Sequence, residues 1–478
     1  MPEVRDSFVI GDTIVLPGET RHLRLAVSES YVSTPVEIPV TIINGILEGP
    51  ILLVCAASHG DECNGTAVVR ELIYDVDHSN LTGVLVCAPV LNLPGFLRAE
   101  RNLPDGRDLN RNFPGKPDGN SAQRIAHTIF SKIIQKCDYG IDIHTAGQGR
   151  ANLVQVRGDM ENNEVRRVAR AFGTEIIIDE LGLAGTLRRS ATDIGIPMIT
   201  VEIGETQRFE KHLVSMGLQG VMNVLYELGM LKGKTVEPIF QVIVKKTEWV
   251  RADRGGILEM KILPRDLVQE GEELCTITNP FGKEVGVVRA PFTGMVVGIT
   301  NYPMVTPGSP ICHLVKLDKT LSTVENALRR EKATLAVAKG AVPAQPEKKD
   351  DKRDDRKDDK KEDKKDEKKD DKRDDRKEDK KENGKSKDEL RQKKLDEIIP
   401  VAAERKEGEK KEGERKEAAR KDGERKEGDK EEVDTDGRGG KHKARKDSRP
   451  GSGQVDREGH PSEYYEDYDE DAEPEEKD

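Results

Sequence analysis

His59 and Glu62 stand three positions apart in the turn Ser58-His59-Gly60-Asp61-Glu62-Cys63, directly after the apolar run 51–57. An apolar run that breaks abruptly into a Gly-containing turn reads as a buried strand opening into the crevice where α/β proteins place their ligands. An imidazole and a carboxylate held at the exit of a rigid strand are two donors suited to a zinc ion. Two further strand-like runs end in a similar way. Tyr139-Gly140-Ile141-Asp142-Ile143-His144 finishes on a histidine, and the run 196–205 carries Glu202 at the end of its apolar stretch, ahead of Gly204. His59, Glu62 and His144 together offer two imidazoles and one carboxylate. That set leaves a fourth position open for water, the pattern of a catalytic rather than a structural zinc. Such an ion lowers the pKa of its water toward ~7 and polarises a scissile carbonyl. Glu202 suits the general base for that water. Glu205 competes for the role but lies beyond the Gly204 turn.

Taken singly, these residues have plainer readings. A histidine in a turn is more often a hydrogen-bonded turn residue than a ligand, and an acid ending a strand is as readily a cap or an ion-pair partner. Three such groups, His59, Glu62 and His144, each at the C-terminal end of a buried strand or in the turn after it, carry the metal reading together. Cys63 lies beside the turn and reads as a bystander. Between the strand ends lies a dense cationic loop, with Arg101, Arg107 and the run Asp108-Leu109-Asn110-Arg111-Asn112-Phe113-Pro114-Gly115. Guanidinium binds carboxylates bidentately and asparagine adds a neutral hydrogen bond, so this loop suits a carboxylate-bearing substrate.

The elements that would position these groups follow from periodicity. Residues 7–50 alternate apolar and polar positions and read as strands leading to the central one; 84–90 is another buried strand. Helical spacing recurs at 65–74, 121–137, 161–172 and 213–228. Strands alternating with helices imply an α/β fold with a mixed, largely parallel sheet covered on both faces. From Pro238 to Val315 the texture changes to short strands with frequent Gly and Pro, and the order of signals resembles a biotinyl/lipoyl-like half-barrel. Gly294-Met295 occupies the hairpin tip where a carrier would have its lysine, so a structural or cavity-closing domain is expected. The expected division is a catalytic domain at 1–235, a β-rich half-barrel at 236–318, and a connector and disordered charged tail at 319–478.

Composition agrees with that division. Charged residues make up 35% of the 478 positions and aromatics only 4%, an imbalance concentrated beyond Leu317. Residues 350–381 repeat two acids then two bases, which places like charges at i,i+4 and opposes a helix. The net charge of −11 therefore describes no single surface and gives no reason to expect nucleic acid. An apolar island at 390–403 reads as incidental, and no partner for the tail is indicated. The six cysteines show no CxxC pairing, which fits a reducing compartment. The polar N-terminus lacks a signal-peptide core and no run is long enough to span a bilayer, so a cytoplasmic protein without membrane association is expected.

The signatures His59-Gly60-Asp61-Glu62, Asp108 to Gly115, Asp142-Ile143-His144-Thr145 and Val201-Glu202-Ile203-Gly204 occur in this order. Together they resemble the succinylglutamate desuccinylase/aspartoacylase family, relatives of the zinc carboxypeptidases, over roughly residues 27–315. The resemblance implies a zinc carboxypeptidase-like fold and one zinc ion per subunit, held by His59, Glu62 and His144. It implies Glu202 as general base and later acid to the leaving amine, with Arg101, Asn110 and Arg111 holding the substrate's carboxylate and polarising its carbonyl. Arg107 competes with Arg101 for that place. Asp108 would orient His59, as metal-bound imidazoles require. The expected activity is zinc-dependent hydrolysis of the amide bond of a small N-acylated amino acid. The rivals are a metallocarboxypeptidase acting on peptides and a non-catalytic scaffold that works through the charged tail. Acyl group, amine and homo-oligomeric state are left open.

Overall fold

The computed structural model describes residues 5–338. A hairpin of β1 (Phe8–Ile10) and β2 (Thr13–Val15) precedes a long antiparallel pair, β3 (Glu19–Glu29) and β4 (Pro35–Asn44). β5 (Leu47–Ala56) leads into α1 (Cys63–Asp75), and β6 (Thr82–Ala88) into α2 (Leu93–Arg98). Next come α3 (Ser121–Lys132), β7 (Tyr139–His144), β8 (Arg150–Gly158), α4 (Asn163–Phe172) and β9 (Ile176–Asp179). α5 (Leu187–Asp193), β10 (Met198–Gly204) and α6 (Lys211–Glu227) follow. The β-rich segment holds β11 (Val242–Val244), β12 (Thr247–Arg251), β13 (Gly256–Met260), β14 (Leu267–Val268) and β15 (Glu273–Thr278). It continues with β16 (Glu284–Arg289), β17 (Gly294–Thr300), β18 (Met304–Val305) and β19 (Pro310–Lys316), before α7 (Leu321–Ala338).

The main sheet runs β12-β19-β17-β8-β10-β7-β5-β6-β4-β3. Its centre, β6-β5-β7-β10, is parallel, while β8 and β4 flank that centre in antiparallel pairing. The fold is the mixed α/β sheet flanked by helices that strand–helix alternation implies. Central strands are buried on both faces, which is why they read as nearly continuous apolar runs. On one face Val68 of α1, Val165 of α4 and Val221 of α6 join Ile143, Val201 and Ile203 in a core. On the other, Ile129 of α3 and Leu187 of α5 pack with Leu53, Cys55 and Met198.

The β-rich segment divides its strands between two sheets. β13, β15, β16 and β18 form a sheet of their own, whereas β17 pairs with β8 and so continues the main sheet into β19 and β12. Two elements, α2 and β8, fall in stretches to which periodicity assigns neither helix nor strand. α2 has six residues, too few for a periodic signal, and begins on Asn92, whose side chain accepts from the Gly95 amide. β8 alternates Val154 and Val156 with Gln155 and Arg157, so its second face is polar though buried.

Gly65 brings the start of α1 onto the strand ends. A Cβ there would stand 2.8 Å from Ala56 Cβ and 2.9 Å from the Ile143 carbonyl oxygen. Only glycine lets the helix approach β5 and β7 so closely. Among the described residues no helix is long and apolar enough to cross a membrane. The connector expected after residue 319 is helical to Ala338, and the charged repeats, the apolar island and the acidic end lie outside the described residues.

Candidate metal centre

The turn after β5 and the end of β7 meet at Glu62. Glu62 occupies the cap position of α1, yet its carboxylate makes no capping bond. One oxygen, Oε1, lies 2.6 Å from His59 Nδ1, and the other, Oε2, lies 2.9 Å from His144 Nδ1. Oε2 also accepts from the Thr145 amide at 3.0 Å. One ligand atom from each of the three residues falls within 4.8 Å of the others, and all three residues are buried. Among the described residues this is the group of acids, histidines and cysteines able to hold a metal ion.

Both imidazoles are held from behind. His59 Nε2 lies 3.1 Å from Asp108 Oδ1, and His144 Nε2 lies 2.8 Å from Asp142 Oδ2. The second contact is a consequence of strand geometry, since residues two apart on β7 share a face. Asp142 is steadied in turn by Ser58, whose hydroxyl donates to Oδ1 at 3.4 Å. With each Nε2 tied to an aspartate, both Nδ1 atoms face the Glu62 carboxylate, one on each oxygen. Metal-binding histidines require this arrangement, and it is the test of fit that the donor set passes.

The electrostatics follow from crowding. Burial opposes ionisation of Glu62, but His59 and His144 beside it hold its carboxyl well below the usual carboxylate range. Asp108 is held low in the same way, by His59 and Arg101 against its burial. Burial disfavours a charged His144, yet Asp142 and Glu62 raise its pKa well above the ordinary histidine value. For His59, burial and Arg101 pull the pKa down, and Glu62 and Asp108 more than offset them. Three carboxylates, Glu62, Asp108 and Asp142, packed on two imidazoles favour positive charge at this point, whether from protons or from a metal ion.

Glu202 stands beside this group. In the parallel register of β10 against β7 it pairs with His144, so the two side chains share a face. Asn152 Nδ2 donates to Glu202 Oε2 at 3.2 Å, and Arg157 Nε lies 3.9 Å from Oε1. Glu205 faces elsewhere, bonded to Arg208 and Asn301. Gly204 makes the turn between the two acids: it has φ +68°, and a Cβ would fall 2.0 Å from Glu210 Oε2.

Of the two competing arginines, Arg101 reaches the centre. Its guanidinium lies 3.2 Å from Asp108 Oδ2 and 3.5 Å from Glu62 Oε1, while Arg107 pairs with Asp105 at the surface. Asn110 Oδ1 accepts from the Leu187 amide at 2.8 Å, docking the loop on the start of α5. Arg111 Nη1 donates to the Asn110 carbonyl. Cys63 donates to the Asp61 carbonyl and is outside the donor group. Asp61 is buried, its Oδ1 has no hydrogen-bond partner among the described residues, and burial followed by Glu62 raises its pKa.

Several polar residues near Glu202 carried no sequence signal. Arg157 and Arg188 are buried, and both pair with Glu180. Gln155, opposite Glu202 in the β8–β10 register, is fully buried with neither amide atom bonded among the described residues. The alternation of Val154 and Val156 with Gln155 and Arg157 signals a strand but not that its polar face is buried.

A model of the succinylglutamate desuccinylase/aspartoacylase catalytic domain matches residues 48–228, a span that holds His59, Glu62, Arg101, Asn110, Arg111, His144 and Glu202. The chain is 25% identical over 255 residues to the N-alpha-acetyl-L-2,4-diaminobutyric acid deacetylase of Halomonas elongata, a match covering 51% of this chain and 74% of the relative. It is 25% identical to a succinylglutamate desuccinylase/aspartoacylase of Rhodobacter sphaeroides of known structure, with a TM-score of 0.56, covering 62% of this chain and 95% of that one. The fold is also that of the Ectoine utilization protein EutE (DoeB) of Ruegeria pomeroyi, solved with product bound, at a TM-score of 0.57 and 24% identity over 66% of this chain and 97% of that one. The ordered motifs, the shared fold and the matched span agree: over residues 48–228 the chain is similar to the succinylglutamate desuccinylase/aspartoacylase catalytic domain.

Proposed function

We propose that this protein is a zinc-dependent hydrolase that cleaves the amide bond of an N-acyl amino acid, or of a similar small carboxylate-bearing amide. The observation that carries the reading is the convergence of His59 Nδ1 and His144 Nδ1 on Glu62, with Glu202 in register beside His144. His59, Glu62 and His144 would hold zinc, which supplies an acidified water and a polarised carbonyl when bound. Asp108 and Asp142 engage Nε2 of the two imidazoles, which would leave Nδ1 of each to coordinate the ion.

Glu202 takes the proton from the attacking water and delivers it to the nitrogen of the leaving amine. Its carboxylate must be ionised for the first transfer, and the Asn152 amide donates to one of its oxygens. Arg101 and Arg111 bind the substrate's carboxylate and stabilise the oxyanion. Asn110 has Oδ1 engaged by Leu187, so its Nδ2 group is the part of the amide that meets substrate. The relative's deacetylase activity on an N-acetylated diamino acid supports an acyl-amino-acid substrate over a peptide. We assign residues 236–318 the role of restricting access to small substrates. All six cysteines are free and five are buried, which supports a reducing compartment such as the cytoplasm.

Zinc-loaded protein assayed against N-acetyl and N-succinyl amino acids and against unblocked dipeptides tests the reading. Hydrolysis of an N-acyl amino acid with little turnover of dipeptides is expected. Turnover of dipeptides alone would make it a carboxypeptidase.

A further inference from the structure

β17 belongs to the β-rich segment, yet it lies one strand from the proposed general base. β8 stands between β17 and β10, with Asn152 registered against Gly204 of β10 on one side and Gly298 of β17 on the other. The β8–β10 register shifts at this point, between Glu202 and Gly204. Asn152 directs its Nδ2 group at Glu202 Oε2, 3.2 Å away. An amide facing a carboxylate must present its donor, so Oδ1 turns toward β17. There it meets Gly298: a Cβ on that residue would stand 2.7 Å from Asn152 Oδ1. The next nearest atoms, His313 Cβ at 3.4 Å and the Ala151 carbonyl oxygen at 3.7 Å, leave ordinary room. The missing side chain of Gly298 is therefore the space that the Asn152 amide occupies.

We infer that Asn152 is a positioning residue for Glu202, and that Gly298 of the β-rich segment sets its position. This rests on Glu202 being the general base. A carboxylate with rotatable side-chain bonds has no fixed direction of its own, and a donor on one oxygen fixes the lone pairs of the other toward the reacting water. Arg157 on β8, Arg188 on α5, and Asp142 and His144 on β7 supply the surrounding charge. Asn152 is the neutral donor among them, so replacing it alters direction more than field. The β-rich segment thereby contributes to catalysis through one absent side chain, in addition to any effect on access.

The experiment compares Asn152→Ala, Gly298→Ala and the double variant with the unaltered full chain, on an N-acyl amino acid that the unaltered chain hydrolyses. Asn152→Ala should lower kcat about tenfold, the scale of a hydrogen bond to a charged group, with KM changed less than about twofold and zinc content unchanged. Gly298→Ala should reproduce that signature, and the double variant should fall no further than Asn152→Ala alone. A Gly298→Ala protein at the unaltered kcat, or a double variant whose loss is the product of the two, would overturn the inference. Asn152→Asp keeps the size but turns an oxygen on Glu202, and should lose more kcat than Asn152→Ala. Crystal structures of the unaltered chain and of Gly298→Ala give a readout independent of activity. The inference predicts a Glu202 carboxylate displaced in the variant, and an unmoved carboxylate contradicts it. Failure of the unaltered chain to hydrolyse any N-acyl amino acid counts against the proposed function instead.

Discussion

Glu202 stands directly across from His144 in the parallel register of β10 against β7. The pairing sets a carboxylate one strand away from a metal-type imidazole, on the same face and at the same level. A residue one position along β10 would point into the opposite core, as Val201 and Ile203 do. The sheet therefore puts Glu202, and not Glu205, on the face and at the level of the candidate centre.

Glu202→Gln keeps the shape of the side chain and removes its basicity. Zinc content should be unchanged, because Glu202 is outside the donor group. kcat should fall by roughly 10²–10⁴, the range for a general acid–base residue. Metal analysis and steady-state kinetics on the same preparation check this, and full activity in the variant would remove Glu202 from the mechanism.

Asp142→Asn should weaken zinc binding about 10- to 100-fold without preventing folding. The aspartate holds His144 Nε2 at 2.8 Å, so the amide would leave Nδ1 as the coordinating atom but make the imidazole a poorer donor. Competition with a chromophoric chelator measures the change. Asp108→Asn should act similarly through His59, and less strongly, because that contact is longer at 3.1 Å.

Zinc affinity should fall as pH falls, and the fall should begin above the ordinary histidine range. In the metal-free protein the His144 pKa is raised well above 6.5 and that of His59 is raised from 6.5. Protons therefore compete for both nitrogens at pH values where free imidazole would already be neutral. The sign is fixed by the direction of these shifts: raised pKa values mean that zinc uptake releases protons near neutrality. Zinc Kd measured from about pH 9 down to about pH 6 should weaken over the whole span. A Kd that is flat across that range would show that the imidazoles are not the ligands.

Gly60→Ala should abolish metal binding while leaving the rest of the sheet intact. A Cβ at Gly60 would stand 2.1 Å from the Gly95 carbonyl carbon and 2.2 Å from the Phe96 amide nitrogen, both backbone atoms of α2. Backbone cannot yield as a side chain does, so the turn carrying His59 and Glu62 must move away from α2. Circular dichroism and zinc titration separate loss of the site from loss of the fold.

Much of this was legible from residue order. Buried parallel strands are apolar on both faces, so a histidine or glutamate at the end of such a run stands out; His59, His144 and Glu202 did so. The helices α1 and α6 were visible because each buries one stripe at helical spacing. β8 was hidden for the opposite reason. Its polar face is buried against the site, so Gln155 and Arg157 alternate with valines as in a half-exposed strand although both are interior. The partner of His144 could not be read off either: Asp142 lies within the motif, but only the strand's two-residue period turns it onto the ring. That β17 continues the catalytic sheet depends on a long-range pairing, which local periodicity does not encode.

The most direct test is zinc content and N-acyl amino acid hydrolysis measured on one purified sample, before and after chelation and again after zinc is restored. The account predicts stoichiometric zinc, hydrolysis that stops with its removal and returns with it, and neither property in His59→Ala. A chain that carries no zinc, or a His59→Ala variant that hydrolyses the substrate at the unaltered rate, would contradict it.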